Sequence, residues 1–122
     1  MMMLDSNILI YAALGESPEI ITFVKDNEPA VSDISRVEVL GFHKITQPEI
    51  QFLEAFFLSS RVLPIDETII LRAIDLRQKR KIALGDALIA ATALTHGLTL
   101  VTRNTKDFKW IDSLTLIDPL KK

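Results

Sequence analysis

The sequence predicts an α/β fold, a mainly parallel sheet with helices on both sides. Three observations lead there. Short apolar runs alternate with segments whose apolar residues recur every three or four positions, as strands alternating with helices do. The run Leu98 to Val101 is short, apolar and unalternating, as strands covered on both faces tend to be. Polar residues gather directly after such runs: Asp5-Ser6-Asn7 after Met1 to Leu4, and Thr102, Arg103, Asn104 and Asp107 after Leu98 to Val101. Open parallel sheets keep their ligands at the carboxyl ends of strands, so chemistry is expected in these loops.

Met1 to Leu4 reads as the first strand with Asp5 at the joint, and Ile8 to Leu14 resumes as a helix. Ser17-Pro18-Glu19 supplies a cap, a proline in the first turn and an acid near the positive end of the dipole. A second helix therefore covers Ile20 to Lys25, and Pro29 ends it. Ala30 to Ser32 is a short strand. The helix from Ser35 is expected to carry Ile34, Val37, Gly41, Phe42 and Ile45 on one apolar stripe, with Glu38 on that stripe too. Thr46-Gln47-Pro48-Glu49 is a capping box, and the helix it opens carries Ile50, Phe52, Leu53, Phe56 and Phe57. Val62 to Ile65 is a strand, after which Asp66 caps a helix with Ile70, Ala73 and Ile74 toward the core. The basic run Arg77 to Lys81 ends it. From Gly85, the spacing of Asp86, Ile89, Ala90, Ala93 and Leu94 places Asp86 at the head of an apolar stripe on the core side. Gly97 is a left-handed stop after His96, the strand Leu98 to Val101 follows, and a last short strand lies around Leu114 to Ile117.

Residues 1–122 are expected to form one domain, long enough to bury a real core. Hydrophobic residues at 48% and charged ones at 25% describe an ordinary soluble globule, and neither a membrane-spanning run nor a signal peptide is expected. The chain has no cysteine, which excludes a disulfide scaffold and a thiolate metal site and fits a reducing, cytoplasmic setting. With 14 basic against 16 acidic residues the net charge is −2, which argues against nucleic acid held mainly by a positive surface.

Four carboxylates stand out by position: Asp5 after the first strand, Glu38 on an apolar stripe, Asp86 at a helix start and Asp107 after the fourth strand. Each has a structural reading. Asp5 could cap the helix that follows, Asp86 gains from the dipole of its own first turn, and turns favour Asp at such a place as Asp107. Glu38 between Ile34 and Phe42 would be desolvated unless a cation or donor meets it. Taken together, like charges gathered in one crevice stay ionised only with something positive between them. Oxygen ligands without Cys or paired His suit Mg²⁺ or Mn²⁺. Two such ions about 4 Å apart can orient a water and stabilise the attacking and leaving oxygens of a phosphodiester. That predicts metal-dependent hydrolysis of a phosphate ester. A haloacid dehalogenase-like phosphatase would want a second Asp where the chain has Asn7, and no phosphate-binding loop is present.

The pieces MLDSNILIY, ISRVEVLGF with Glu38, LGDALIAATAL with Asp86 and VTRNTKDF with Asn104 and Asp107 resemble the PIN domain, most closely the small VapC-type toxin ribonucleases. The resemblance covers nearly the whole length. It implies a PIN-like three-layer α/β/α sandwich with a mainly parallel sheet of about five strands. It also implies an endoribonuclease that acts on RNA with Mg²⁺ or Mn²⁺, a homodimer, and a cognate antitoxin whose segment fills a groove near the active site. By resemblance Asp5, Glu38 and Asp86 are the metal-site acids, and Asn7 and Thr102 are supporting polar residues. Family members vary between an acid and Asn at the place of Asn104, with a second acid three residues on. The fourth role therefore falls to Asp107, to Asn104, or to both through water. Two alternatives remain: a PIN nuclease of RNA processing outside a toxin system, and an inactive PIN fold kept as a binding module.

Other features divide between plain and functional readings. Arg77, Lys79, Arg80 and Lys81 suit a helix end, yet Arg80 and Lys81, with Arg103, could form a phosphate-guiding rim beside the acids. His43 and His96 have no second His at ligand spacing and are read as structural. One side of one helix cannot hide Phe52, Leu53, Phe56 and Phe57 without a second layer of cover, so this helix is expected to contribute to the dimer or antitoxin interface.

Overall fold

Five strands line up as one sheet in the computed structural model of the chain, which describes residues 1–121 and so leaves Lys122, the last residue of the expected domain, outside. They are β1 (Met2–Leu4), β2 (Ala30–Ser32), β3 (Val62–Leu63), β4 (Thr99–Val101) and β5 (Leu116–Ile117). The helices are α1 (Ser6–Leu14), α2 (Pro18–Asn27), α3 (Asp33–Leu40), α4 (Gln47–Ser59), α5 (Glu67–Lys79) and α6 (Leu84–His96). Strand order is β3-β2-β1-β4-β5, and every pairing is parallel. Met3 pairs with Ala30 and Leu100, and Leu4 with Val31 and Val101. The two-residue strand period then sorts the core into two layers. Met3, Ala30, Leu63 and Leu100 pack with Ile69, Ala73 and Leu76 of α5 and with α6. Leu4, Val31 and Val101 pack on the other face with residues of α1 to α4. This is the expected α/β/α sandwich.

Local chemistry sets the element ends. Ser17 caps α2 through the Ile20 N–H at 3.4 Å, and Thr46 and Glu49 form the reciprocal capping box of α4. The Asp66 carboxylate accepts from the Ile69 N–H at 3.0 Å. Gly97, at φ 63°, closes α6 in the left-handed region, where a side chain would be strained. Several bounds differ from the sequence reading. Helix α1 starts at Ser6 rather than Ile8, α3 at Asp33 rather than Ser35, and the loop after β4 holds an additional 3-10 turn over Thr105–Asp107.

Two helix faces depart from expectation. Helix α3 ends at Leu40, and its buried residues are Ser35 and Val39, while Val37 and Phe42 are 68% and 52% exposed. Val37 and Phe42 of the expected stripe therefore look outward while Ile34 and Ile45 pack at the edge of the core, and Glu38 is exposed rather than wedged between apolar neighbours. In α5 the buried stripe is Ile69, Ala73 and Leu76, and Ile70 and Ile74 are exposed. Both helices offer overlapping apolar stripes, and packing on the neighbouring elements selects one of them. His43 and His96 lie at the surface, outside the core.

The chain builds β1 to β3 outward on one side of β1 and then crosses to β4 on its other side. Between β1 and β4 the strand order reverses, and the crevice over their carboxyl ends is where ligands sit in such sheets. Among the described residues no helix is long and apolar enough to cross a membrane.

Candidate active site

Asp5 leaves β1 at that crevice. Its N–H donates to the Val101 carbonyl at 2.9 Å, which ties the turn to β4. Its Oδ1 accepts from the Ser6 N–H at 2.8 Å and its Oδ2 from the Thr102 hydroxyl at 2.7 Å. Thr102 is fully buried and in turn accepts the Asn104 N–H at 3.0 Å. Asp5 is therefore the N-cap of α1 and also an oriented, nearly buried carboxylate, so the capping reading and the functional one coexist. Burial raises its pKa above the usual value, the Thr102 and Ser6 hydrogen bonds oppose that, and the charges of Glu38 and Asp107 add to it.

Asp86 stands in the first turn of α6, whose N-cap is Ala83 with no side-chain cap. Its carboxylate accepts no hydrogen bond among the described residues, so the dipole alone offers it a structural role. Burial first, and then the charges of Asp5, Asp107 and Glu38, push its pKa up to about 6. The four acids singled out in the sequence thus lie within electrostatic reach of one another.

Glu38 reaches the cluster from α3. Its Oε1 accepts the Ser6 hydroxyl at 2.6 Å. Its carboxylate lies against Gly85 at the head of α6, where a Cβ would overlap Oε2 and come within 2.9 Å of Cδ. A bare glycine lets the acid approach the helix start next to Asp86. Asp107 ends the 3-10 turn; its N–H donates to the Asn104 carbonyl at 3.0 Å and its carbonyl accepts the Trp110 indole N–H at 3.1 Å. Its charge is felt at both Asp5 and Asp86, whereas Asn104 touches the cluster through its backbone bond to Thr102.

Ser6, Ser35 and Gly85 are site residues that sequence reasoning misses. Ser6 lies inside the first of the four motifs, but nothing local shows that it bonds a residue 32 positions away. The basic residues are less gathered. Arg103 pairs with Asp118 at 3.1 Å, Lys79 with Asp75 at 2.9 Å, and the Arg80 guanidinium stacks 5.5 Å over the Trp110 ring. Arg103 is thus turned to Asp118 rather than to the acids.

A hard cation fits this donor set. The charges of neighbouring acids help raise the pKa of Asp5 and of Asp86, which a positive ion would relieve, and the Asn7 Oδ1, two residues past Asp5, is buried without a hydrogen-bond partner. Among the described residues no three Asp, Glu or His side chains cage an ion by themselves. Mg²⁺ binds through one or two carboxylates and keeps several waters, so it does not require such a cage.

A second region lies apart from the acids. Leu9, Ala12, Ile21, Val24, Phe52 and Phe56 line a groove of about 780 Å³ between α1, α2 and α4. Leu53 and Phe57 are buried in the core, whereas Phe52 is 43% exposed and Phe56 half-buried, so the aromatic helix is left partly uncovered.

Fold and site define a class, an open parallel α/β domain that gathers carboxylates at its topological switch point. The PIN domain family model matches residues 2–114. Ribonuclease VapC10 of Mycobacterium tuberculosis is 34% identical over 93% of this chain and 90% of its own length. The tRNA(fMet)-specific endonuclease VapC of Shigella flexneri is 29% identical over 95% and 96%. A toxin-antitoxin complex from Klebsiella pneumoniae contains a chain 31% identical, with full coverage of both chains and a TM-score of 0.81. The chain belongs to the PIN domain family, in its VapC-type ribonuclease branch.

Proposed function

We propose that this chain is a Mg²⁺- or Mn²⁺-dependent endoribonuclease, one PIN domain over residues 1–122, and the toxin of a toxin-antitoxin pair acting in the cytoplasm. The observation that carries the reading is the gathering of Asp5, Glu38, Asp86 and Asp107 at the switch point, with Asp86 pushed up to about 6 by its burial and its neighbours' charges. These four would share the ion, one or two of them directly and the others through its waters. Bound there, a divalent cation supplies a nucleophilic water and charge stabilisation for phosphodiester hydrolysis.

The chain's own residues prepare that chemistry. Thr102 and the Ser6 N–H fix both oxygens of Asp5. Ser6 and Gly85 set the place of Glu38, and Asn104 holds Thr102. Asn7, next along the chain from Ser6, carries a buried oxygen with no hydrogen-bond partner. Arg80 and Lys81 would supply a basic rim for the RNA phosphates, whereas Arg103 is held by Asp118. The test is cleavage of total cellular RNA by purified, antitoxin-free protein in Mn²⁺, against EDTA and against Glu38→Gln and Asp86→Asn. Discrete products that vanish in all three controls are expected; an unchanged pattern would favour the inactive binding module.

The α1–α2–α4 groove supports the antitoxin partner. Its apolar lining and partly exposed phenylalanines suit the apolar face of an inhibitory segment. The outward apolar residues Val37 of α3, Phe42 just after it, and Ile70 and Ile74 of α5 support a homodimer. Growth on expression with and without the neighbouring gene separates a toxin from a housekeeping RNA-processing enzyme.

A further inference from the structure

Of the two buried serines beside the acids, the Ser6 hydroxyl has so far only set the place of Glu38, and Ser35 has no part in the chemistry at all. Ser35 is fully buried on α3, one turn before Glu38, and its hydroxyl lies 2.9 Å from that of Ser6. Ser6, 7% exposed at the start of α1, lies 2.6 Å from Glu38 Oε1. An ionised carboxylate only accepts hydrogen bonds, and each hydroxyl carries one proton. The Ser6 proton must therefore go to Glu38, and the Ser6 oxygen must accept the proton of Ser35. The direction of the chain of bonds is settled by counting protons.

We propose that Ser35 and Ser6 are positioning residues, a one-way relay that holds the Glu38 carboxylate against Gly85 and ready to ligate a divalent cation with Asp86. The proposal rests on the metal-nuclease reading of the acids. Glu38 stands on a surface helix and is exposed, so without the relay its flexible side chain would turn freely in water. Each hydrogen bond of such a chain polarises the next, so the buried Ser35 strengthens the bond that Glu38 receives. Gly85 completes the arrangement by leaving room for the carboxylate on its other side. The relay also links the start of α1, where Asp5 sits, to α3, so two acids from distant parts of the chain share one support.

The test compares wild type with Ser6→Ala, Ser6→Thr, Ser35→Ala and the double alanine variant. Mn²⁺ binding to the RNA-free protein is measured by calorimetry, and kcat and KM on a fluorogenic mixed-sequence RNA oligonucleotide. Ser6→Ala is expected to weaken Mn²⁺ binding about 10-fold and to lower kcat with KM unchanged, as loss of a ligand-orienting partner does. Ser6→Thr should restore both, and Ser35→Ala should show a smaller loss that disappears in the Ser6→Ala background. Wild-type Mn²⁺ affinity in Ser6→Ala, or full additivity of the two losses, would overturn the relay. Should Ser6→Ala not fold, Ser35→Ala with wild-type Mn²⁺ affinity overturns it equally, since alanine suits that buried helical position. Wild type that binds Mn²⁺ but leaves RNA intact would sink the nuclease reading alone, with the relay judged on Mn²⁺ affinity. No Mn²⁺ binding by wild type would sink both.

Discussion

Helix α1 serves two regions of opposite character. Its first residues belong to the acid cluster, where polar groups are buried and hydrogen-bonded and Asp5 and Asp86 are repelled by their acidic neighbours. One to two turns later Leu9 and Ala12 line the α1–α2–α4 groove, where apolar groups such as Phe52 are left in water. Both places carry an unrelieved cost in the chain alone, for unlike reasons. Crowded negative charge is relieved by a cation, and exposed apolar surface by an apolar partner. Each region therefore carries the imprint of what completes it, and the two should respond independently to change.

The largest effect is expected at the acids. Asp86→Asn should lower RNA cleavage by ~100-fold or more, beyond the loss typical of a residue that merely supports a ligand. The same change should stabilise the metal-free fold, because it removes a repelled carboxylate. The ionised form is disfavoured in the folded state, and half-exposure of the side chain screens the effect to about 1 kcal/mol, a rise of roughly 4 °C in Tm. A Tm scan that finds the variant less stable would deny the repulsion.

Next comes the groove. Phe52→Ala should weaken antitoxin binding by about 10-fold or more, as loss of a buried aromatic anchor does, and leave cleavage by the free protein unchanged. Calorimetry on the variant with its cognate antitoxin checks this, and equal loss of cleavage would show that the two regions are coupled.

A smaller effect concerns pH. Asp86 has a folded pKa of about 6, above its usual 3.8, so between those values the folded state binds more protons than the unfolded one. Stability of the metal-free protein should therefore fall as pH rises from about 4 to about 6, and stay lower above that. The buried Asp5 shifts the same way. Glu49, whose bonds to Thr46 lower its pKa, acts oppositely, so the informative quantity is the wild-type curve minus that of Asp86→Asn. A flat difference would contradict the shift, and Mn²⁺ should flatten it.

The smallest effect belongs to the rim. Arg80→Ala with Lys81→Ala should slow cleavage about threefold at low salt and not at all at high salt, because phosphate attraction is screened. An unchanged rate at low salt would assign Arg80 to its stack on Trp110 alone.

Much of this molecule is legible in its amino-acid order. The caps at Ser17, Thr46 and Asp66, the stop at Gly97, the strand after it and the acids after β1 and β4 all rest on patterns within a turn or two of chain. Such patterns are local physics: a hydroxyl meets a nearby N–H, and a period of two or 3.6 shows which side is apolar. The resemblance of four short motifs supplies the family. It is not legible that α3 turns Ser35 and Val39 inward and leaves Val37 in water, or that α5 buries Ile69 instead of Ile70. Both helices carry two usable apolar stripes, and only the crossing with neighbouring elements chooses between them. Nor can the chain by itself show that Ser35 and Glu38 meet Ser6 across 29 and 32 residues, or that Arg103 finds Asp118. By itself the sequence determined the element order, the caps and the places of the acids after the strand ends and at the helix start. Tertiary structure alone decided which side chains meet, because contact between distant segments depends on the angle and register at which helices cross the sheet, and no local propensity encodes those.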